Sequence, residues 1–184
     1  ADAGWHIRTG EYILDNHTVP YQDLYSFSKP GAPWYAWEWL SDVIYAGLHR
    51  AAGLKGVVLM AALLLAGFST TLVRRMTGRG THLFISMLIA LLGVGCSTVH
   101  FLARPHIFTL LLMSISVWLI EADRQRPTRR IWMLVPITAV WTNLHGGFLA
   151  VIAVLGLTAV GTAVEVSLGS GRTIRDAVRY AKLR

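Results

Sequence analysis

The chain has 184 residues, 54% of them hydrophobic and only 15% charged, with a formal net charge of +7. A soluble domain of this length carries more charge. The basic excess lies in short clusters beside apolar runs, which argues against nucleic acid as a partner, and a single Cys96 inside an apolar run excludes a disulfide framework.

Residues 1–54 form a polar and aromatic front region holding six of the ten acids: Asp2, Glu11, Asp15, Asp23, Glu38 and Asp42. The opening stretch carries an acid, an imidazole and a guanidinium in Asp2, His6 and Arg8, followed by Glu11. In a helix, Asp2, His6 and Thr9 share a face by their spacing. Breakers at Thr18-Val19-Pro20 and around Pro30, Gly31 and Pro33 leave two expected helices, about 5–15 and 34–52. The second has one stripe of Trp37, Leu40, Ile44 and Leu48 and another of Glu38, Asp42, Tyr45 and His49. Trp34, Trp37 and Trp39 suit a headgroup boundary, so an interfacial helix is expected, with an ordinary packing helix as the alternative.

Residues 56–73, 83–103 and 131–164 contain no Asp, Glu, Lys or Arg. A bilayer core needs about 20 apolar residues per helix. The expected fold is therefore all-α, a polytopic membrane helix bundle with amphipathic interfacial helices in its first outer loop. Spans are expected at about 55–73, 83–103, 106–121, 131–144 and 147–165, making residues 55–168 a bundle of about five. The run 131–164 is too long for one ordinary span. Asn143-Leu144-His145-Gly146-Gly147 near its middle favours a turn between two helices, one kinked helix being the alternative.

Arginines cluster at 74–79, at 124–130 and in the tail at 172–184. The positive-inside rule puts all three in the cytoplasm. Alternation then sends residues 1–54, the Ala103-Arg104-Pro105-His106 turn and the Asn143–Gly147 turn to the opposite side. Residues 169–184 are expected as a basic amphipathic segment on the inner surface.

This topology gathers Asp2, His6, Arg8, Glu11, Asp23, Arg104, His106, Asn143 and His145 on one face. An arginine at the end of an apolar run needs a partner, and arginine suits bidentate contact with phosphate. Arg104 is therefore a candidate for a lipid phosphate, or else for headgroups or a front-loop acid. His145 fits a structural role at a helix turn. One Asp and one His, Asp2 and His6, are too few to specify a metal site, and whether a divalent cation serves as cofactor is left open. No zinc pattern, nucleotide-phosphate loop, dinucleotide fingerprint or hydrolase elbow occurs.

Three ordered blocks carry a resemblance. They are Asp2-x-x-Trp5-His6-x-x-x-Gly10-Glu11, Pro20-x-x-Asp23-x-Tyr25-Ser26-Phe27 and Gly31-x-Pro33-Trp34-x-x-x-Glu38-Trp39-Leu40. Together they resemble the first outer loop of bacterial GT-C-type membrane glycosyltransferase-like proteins. Ala103–His106 and Trp141-x-Asn143-Leu144-His145-Gly146-Gly147 resemble their later short outer loops. The resemblance implies further spans before Ala1 and after Arg184, so that the chain is a piece of a longer protein in a bacterial inner membrane, with residues 1–54 on the periplasmic side. It implies transfer of a sugar from a polyprenyl-phosphate donor to an acceptor outside the cytoplasm. Asp2 then takes the catalytic position, as general base toward an acceptor hydroxyl or as metal ligand. Arg104 would steady the departing phosphate. His6, Arg8, Glu11, His106, Asn143 and His145 are the accompanying substrate-binding candidates. The alternative is a non-catalytic subunit serving as scaffold among other membrane subunits. A transporter is disfavoured, because no charged residue lies mid-span.

Overall fold

The computed structural model describes residues 2–98 and 101–170, and among these the structure is helical with no strand. The elements are α1 (Asp2–Asn16), α2 (Trp39–Thr77), α3 (Leu83–Cys96), α4 (His106–Gln125), α5 (Leu134–Leu144) and α6 (Phe148–Ser170). A short 3₁₀ helix, Arg129–Met133, leads into α5. Among the described residues three helices are long and apolar enough to cross a membrane: α2, α4 and the Phe148–Glu165 part of α6. The tail expected as a basic helix at 169–184 lies outside the described residues from 171 onward.

α2 joins two pieces that the sequence separates. At Gly53 the backbone turns to φ 64°, ψ −158°, a combination essentially restricted to glycine. The piece before it, 39–52, carries Asp42, His49 and Arg50; the charge-free run begins only after Lys55. The expected boundary near residue 54 is thus a kink within one element, and the expected helix 34–52 starts at Trp39.

α3 corrects the span expected at 83–103, because it ends at Cys96 after 14 residues. At about 1.5 Å per residue such a helix falls short of a hydrocarbon core about 30 Å thick. The cause is local. Gly93 and Gly95 weaken the last turn, and Ser97 turns its hydroxyl back onto the Gly93 carbonyl at 2.8 Å.

The run 131–164 is two helices. α5 ends at Leu144, and its carbonyl accepts the Ser41 hydroxyl at 2.6 Å; α6 starts at Phe148. His145, extended at φ −166°, breaks the helix between them.

Two buried clusters hold the packing. Ile7, Tyr45, Val57, Phe108 and Leu144 bring α1, α2, α4 and α5 together. Ile120, Leu134, Trp141 and Val151 join α4, α5 and α6. Outside these, α3 exposes Leu83, Phe84, Ile85, Leu91 and Leu92, and α6 exposes Leu149, Leu157, Val160 and Leu168. Surfaces so apolar are compatible with lipid and not with water.

The two ends of the assembly differ chemically. At one end Glu121 of α4 receives both Arg75 and Arg79 from the end of α2 and the turn beyond it, and Arg124 pairs with Glu165 of α6 at 3.1 Å. At the other end α1, the start of α2, the start of α4 and the α5–α6 turn meet, and His6, Glu38, Asp42, His106 and His145 gather there, with Arg8, Arg50 and Arg104 exposed around them.

Candidate functional site

α1 forms because the first sixteen residues contain no proline and place Ile7 and Ile13 on one buried stripe, with Thr9 wholly enclosed beside them. It lies directly on the front of α2. A Cβ at Gly10 would stand 1.9 Å from the Asp42 carbonyl oxygen, so only glycine allows this approach. That contact brings His6 over Asp42, and its Nδ1 lies 2.6 Å from the carboxylate. Asp42 is only 3% exposed, so the pair is formed largely out of water.

The loop between the helices is shaped by Asp23. Its carboxylate accepts the backbone N–H groups of Tyr25 at 2.9 Å and Ser26 at 2.8 Å, an Asx turn. Those two bonds hold the Asp23 carboxyl below its ordinary pKa. The Trp34 N–H donates to the Tyr21 carbonyl at 3.0 Å, closing the loop. Trp5 then packs edge-on against Tyr25 at 4.7 Å and Trp34 at 5.7 Å.

Beneath this loop is a cavity of about 380 Å³. One wall is aromatic, from Trp5, Trp34, Tyr35 and Trp37. The polar wall is His6, Glu38 and Asp42, and Thr142, Gly146 and Phe148 close the far side.

Glu38 is the centre of the polar wall. One carboxylate oxygen lies 3.9 Å from His6 Nε2 and the other lies 3.6 Å from His145 Nε2. His145 is itself fixed from behind. The Trp141 indole donates to the Thr109 hydroxyl at 2.9 Å, and that hydroxyl lies 2.8 Å from His145 Nδ1. The Gly147 N–H also donates to Nδ1, at 3.0 Å. A nitrogen accepting two hydrogen bonds carries no proton, so the neutral ring bears its hydrogen on Nε2, facing Glu38. Burial, and then the nearby His106 and His6 rings, push the His145 pKa below the ordinary histidine value.

The expected site residues divide as follows. His6 and His145 meet through Glu38, and the His106 ring lies 6.4 Å from the His145 ring. Residue 2 opens α1 one turn before His6; the Asp2 side chain lies outside the described set. Arg104 is exposed in the turn that starts α4. Arg8 and Glu11 do not line the cavity; they pair with each other at 3.1 Å, and Glu11 also faces His49 at 3.6 Å. Asn143 is used in packing: its oxygen accepts the Trp39 indole at 2.8 Å and its amide donates to the Ala139 carbonyl at 2.8 Å. Among the described residues no three His, Cys, Asp or Glu side chains are grouped so as to hold a metal ion.

Glu38, Asp42 and Thr109 were not among the expected site residues. Glu38 and Asp42, four apart, fall on the second stripe of the amphipathic helix expected at 34–52. In the structure that stripe faces inward onto α1, with Asp42 and Tyr45 buried and Trp37 of the apolar stripe 79% exposed. The signal was the close spacing of two acids with the aromatics at 34–39. Thr109 gave none, being one threonine in an apolar run.

Compared with protein-family models, curated proteins and solved structures, the chain showed no match.

Proposed function

We propose that the protein is a membrane-embedded glycosyltransferase-like enzyme that moves a sugar from a polyprenyl-phosphate donor to an acceptor on the outer face of a bacterial inner membrane. The observation that carries this reading is the acid- and aromatic-lined cavity under the front helices, at the end of the bundle away from the Arg75–Glu121 and Arg124–Glu165 pairs. A lipid-linked substrate needs a reactive pocket beside the apolar surface its chain occupies, and the exposed faces of the helices supply that surface.

Asp2 would act as base. Its backbone position, one turn before the cavity residues Trp5 and His6, supports this. Arg104 and His106 stand at the N-terminus of α4, where helix dipole and guanidinium together favour a phosphate. In the step itself an acceptor hydroxyl oxygen bonds to the anomeric carbon and the bond to phosphate breaks. The phosphate leaves with the electron pair, and the hydroxyl proton passes to the Asp2 carboxylate.

The test uses the full-length protein in lipid nanodiscs with a radiolabelled polyprenyl-phosphate hexose, and follows release of polyprenyl phosphate. Release by the wild type, abolished in Asp2→Asn at unchanged melting temperature, is the expected result. Unimpaired release by Asp2→Asn removes that residue from the role. No release at all by wild type, with a range of hexoses, removes the activity and favours the scaffold subunit.

A further inference from the structure

The connection between α4 and α5 carries charge that the bundle does not use. Nearby arginines are neutralised within the fold: Arg75 and Arg79 by Glu121, and Arg124 by Glu165. Arg126, Arg129 and Arg130 are exposed, and none of them pairs with a carboxylate among the described residues. We infer that this connection binds an anionic glycerophospholipid, with these guanidinium groups on its phosphate and Trp132 and Met133 against its acyl chains. The site lies at the end of the molecule away from the cavity and takes no part in the transfer proposed above.

The backbone sorts these side chains. Arg129–Met133 is a 3₁₀ helix, and at three residues per turn side chains three apart lie above one another. Ile131 packs on the cluster of Ile120, Leu134, Trp141 and Val151, and Leu134, three residues on, is buried within it. That fixes the inner face and turns the other two outward. On one, Arg129 stands over Trp132, which is 71% exposed. On the other, Arg130 stands over Met133, which is 54% exposed. One turn of such a helix rises about 6 Å. Each outward face thus has a cation at its α4 end and an apolar group one turn nearer the charge-free α5, whose Val135 is also exposed. Arg126 is three residues before Arg129, at most about 11 Å of chain away. Asp123, the acid of this stretch, accepts the Thr128 backbone N–H at 2.8 Å.

A glycerophospholipid presents the same order, a phosphate above apolar chains. Guanidinium groups meet phosphate bidentately, and basic clusters beside a membrane helix attract anionic lipid. Tryptophan suits the boundary between headgroup and chain. An RNA or an acidic protein would satisfy the arginines and leave Trp132, Met133 and Val135 in water, so the apolar half of the patch favours lipid. A zwitterionic headgroup brings a cation of its own to the guanidinium groups, which sets the preference for an anionic one.

Native mass spectrometry of the full-length protein, delipidated in a neutral detergent, reads the affinities for phosphatidylglycerol and for phosphatidylcholine with identical acyl chains. The wild type is expected to prefer phosphatidylglycerol by about tenfold or more, the scale of two or three basic contacts to an anionic headgroup. Arg126→Gln/Arg129→Gln/Arg130→Gln should reduce that preference to about twofold or less at unchanged melting temperature, since all three positions are exposed. Lys29→Gln/Lys55→Gln/Arg74→Gln removes the same charge from exposed positions elsewhere and should leave the preference intact. Trp132→Ala should weaken both lipids alike. Glycerol phosphate, which has the headgroup without the chains, should not displace the bound lipid. No preference in the wild type, or a preference retained in the arginine variant, overturns the site. Equal loss in the control variant overturns it in favour of net charge alone. Unchanged binding by Trp132→Ala, or displacement by glycerol phosphate, overturns the lipid as occupant. None of these readings requires transfer activity, so they stand or fall separately from the release of polyprenyl phosphate.

Discussion

Gly10 of α1 lies so close to the backbone of Asp42 in α2 that a single added carbon would stand 1.9 Å from the Asp42 carbonyl oxygen. Gly10→Ala must therefore separate the two helices, at a cost of about 1–3 kcal/mol or more. Gly4→Ala is the control, since no atom lies within 4 Å of a Cβ there. Thermal unfolding in detergent, together with protease cutting in the 17–33 loop, should change for the first substitution and not for the second. Equal behaviour of the two would show that α1 does not dock as described.

The pairing of His6 with Asp42 predicts an order of effects. Removing the imidazole in His6→Ala strips a buried carboxylate of a partner, a change that costs about 3–5 kcal/mol when a buried pair is broken from one side. Asp42→Asn keeps an oxygen for His6 and removes the charge, so its cost should be closer to about 1 kcal/mol. Chemical unfolding of both variants reads the order, and Asp42→Asn being the more damaging would contradict it.

His145 makes stability depend on pH. Its folded pKa lies below 6.5, chiefly through burial. As pH falls below about 6.5 the unfolded chain takes up a proton that the folded state refuses. Stability from this group is therefore complete above that value, falls through the window beneath it, and levels off below the folded pKa. His145→Gln should flatten that part of the wild-type melting curve against pH. A slope identical in both proteins would place the titration elsewhere.

Thr109 joins Trp141 to His145 through one hydroxyl. Thr109→Val keeps the shape and deprives the fully buried Trp141 of its indole acceptor. The expected loss is about 1–3 kcal/mol, with Thr109→Ser much milder because it restores the hydroxyl. Equal melting temperatures for Val and Ser would show that the hydroxyl carries no stability.

The orientation proposed for the protein in the membrane predicts sidedness. In a Cys96→Ser background, Ser28→Cys should label from the periplasm and Arg126→Cys only from the cytoplasm, using an impermeant maleimide on intact cells and inverted vesicles. Labelling of both from one side would refute the proposed orientation.

Much of this architecture was legible in the residues, for physical reasons that differ from part to part. The charge-free runs marked the apolar helices, and His145-Gly146-Gly147 marked the turn within 131–164. The end of α3 was not legible, because 83–103 carries no charge to mark a boundary and the break comes from Gly93, Gly95 and Ser97 acting on local hydrogen bonding. The site was half visible. His6 and His145 stood out as polar residues near apolar runs, and the front loop and the 143–147 turn do meet. Glu38 and Asp42 were hidden because amphipathic periodicity reports only that a helix has two faces. It does not say that a second helix will bring a histidine to the polar one. Asn143 illustrates the reverse: a conspicuous polar residue is consumed by the Trp39 indole and the Ala139 carbonyl.

A ribosome makes the chain from its first residue onward, and this bears on how the front region matures. The indole of Trp39 and the hydroxyl of Ser41 find their acceptors on Asn143 and Leu144, more than a hundred residues later. Glu38 likewise meets His145 only once that residue has been synthesised and inserted. The cavity is thus finished only after the 143–147 turn has been made, and a chain truncated before that turn lacks the wall that completes the front helices.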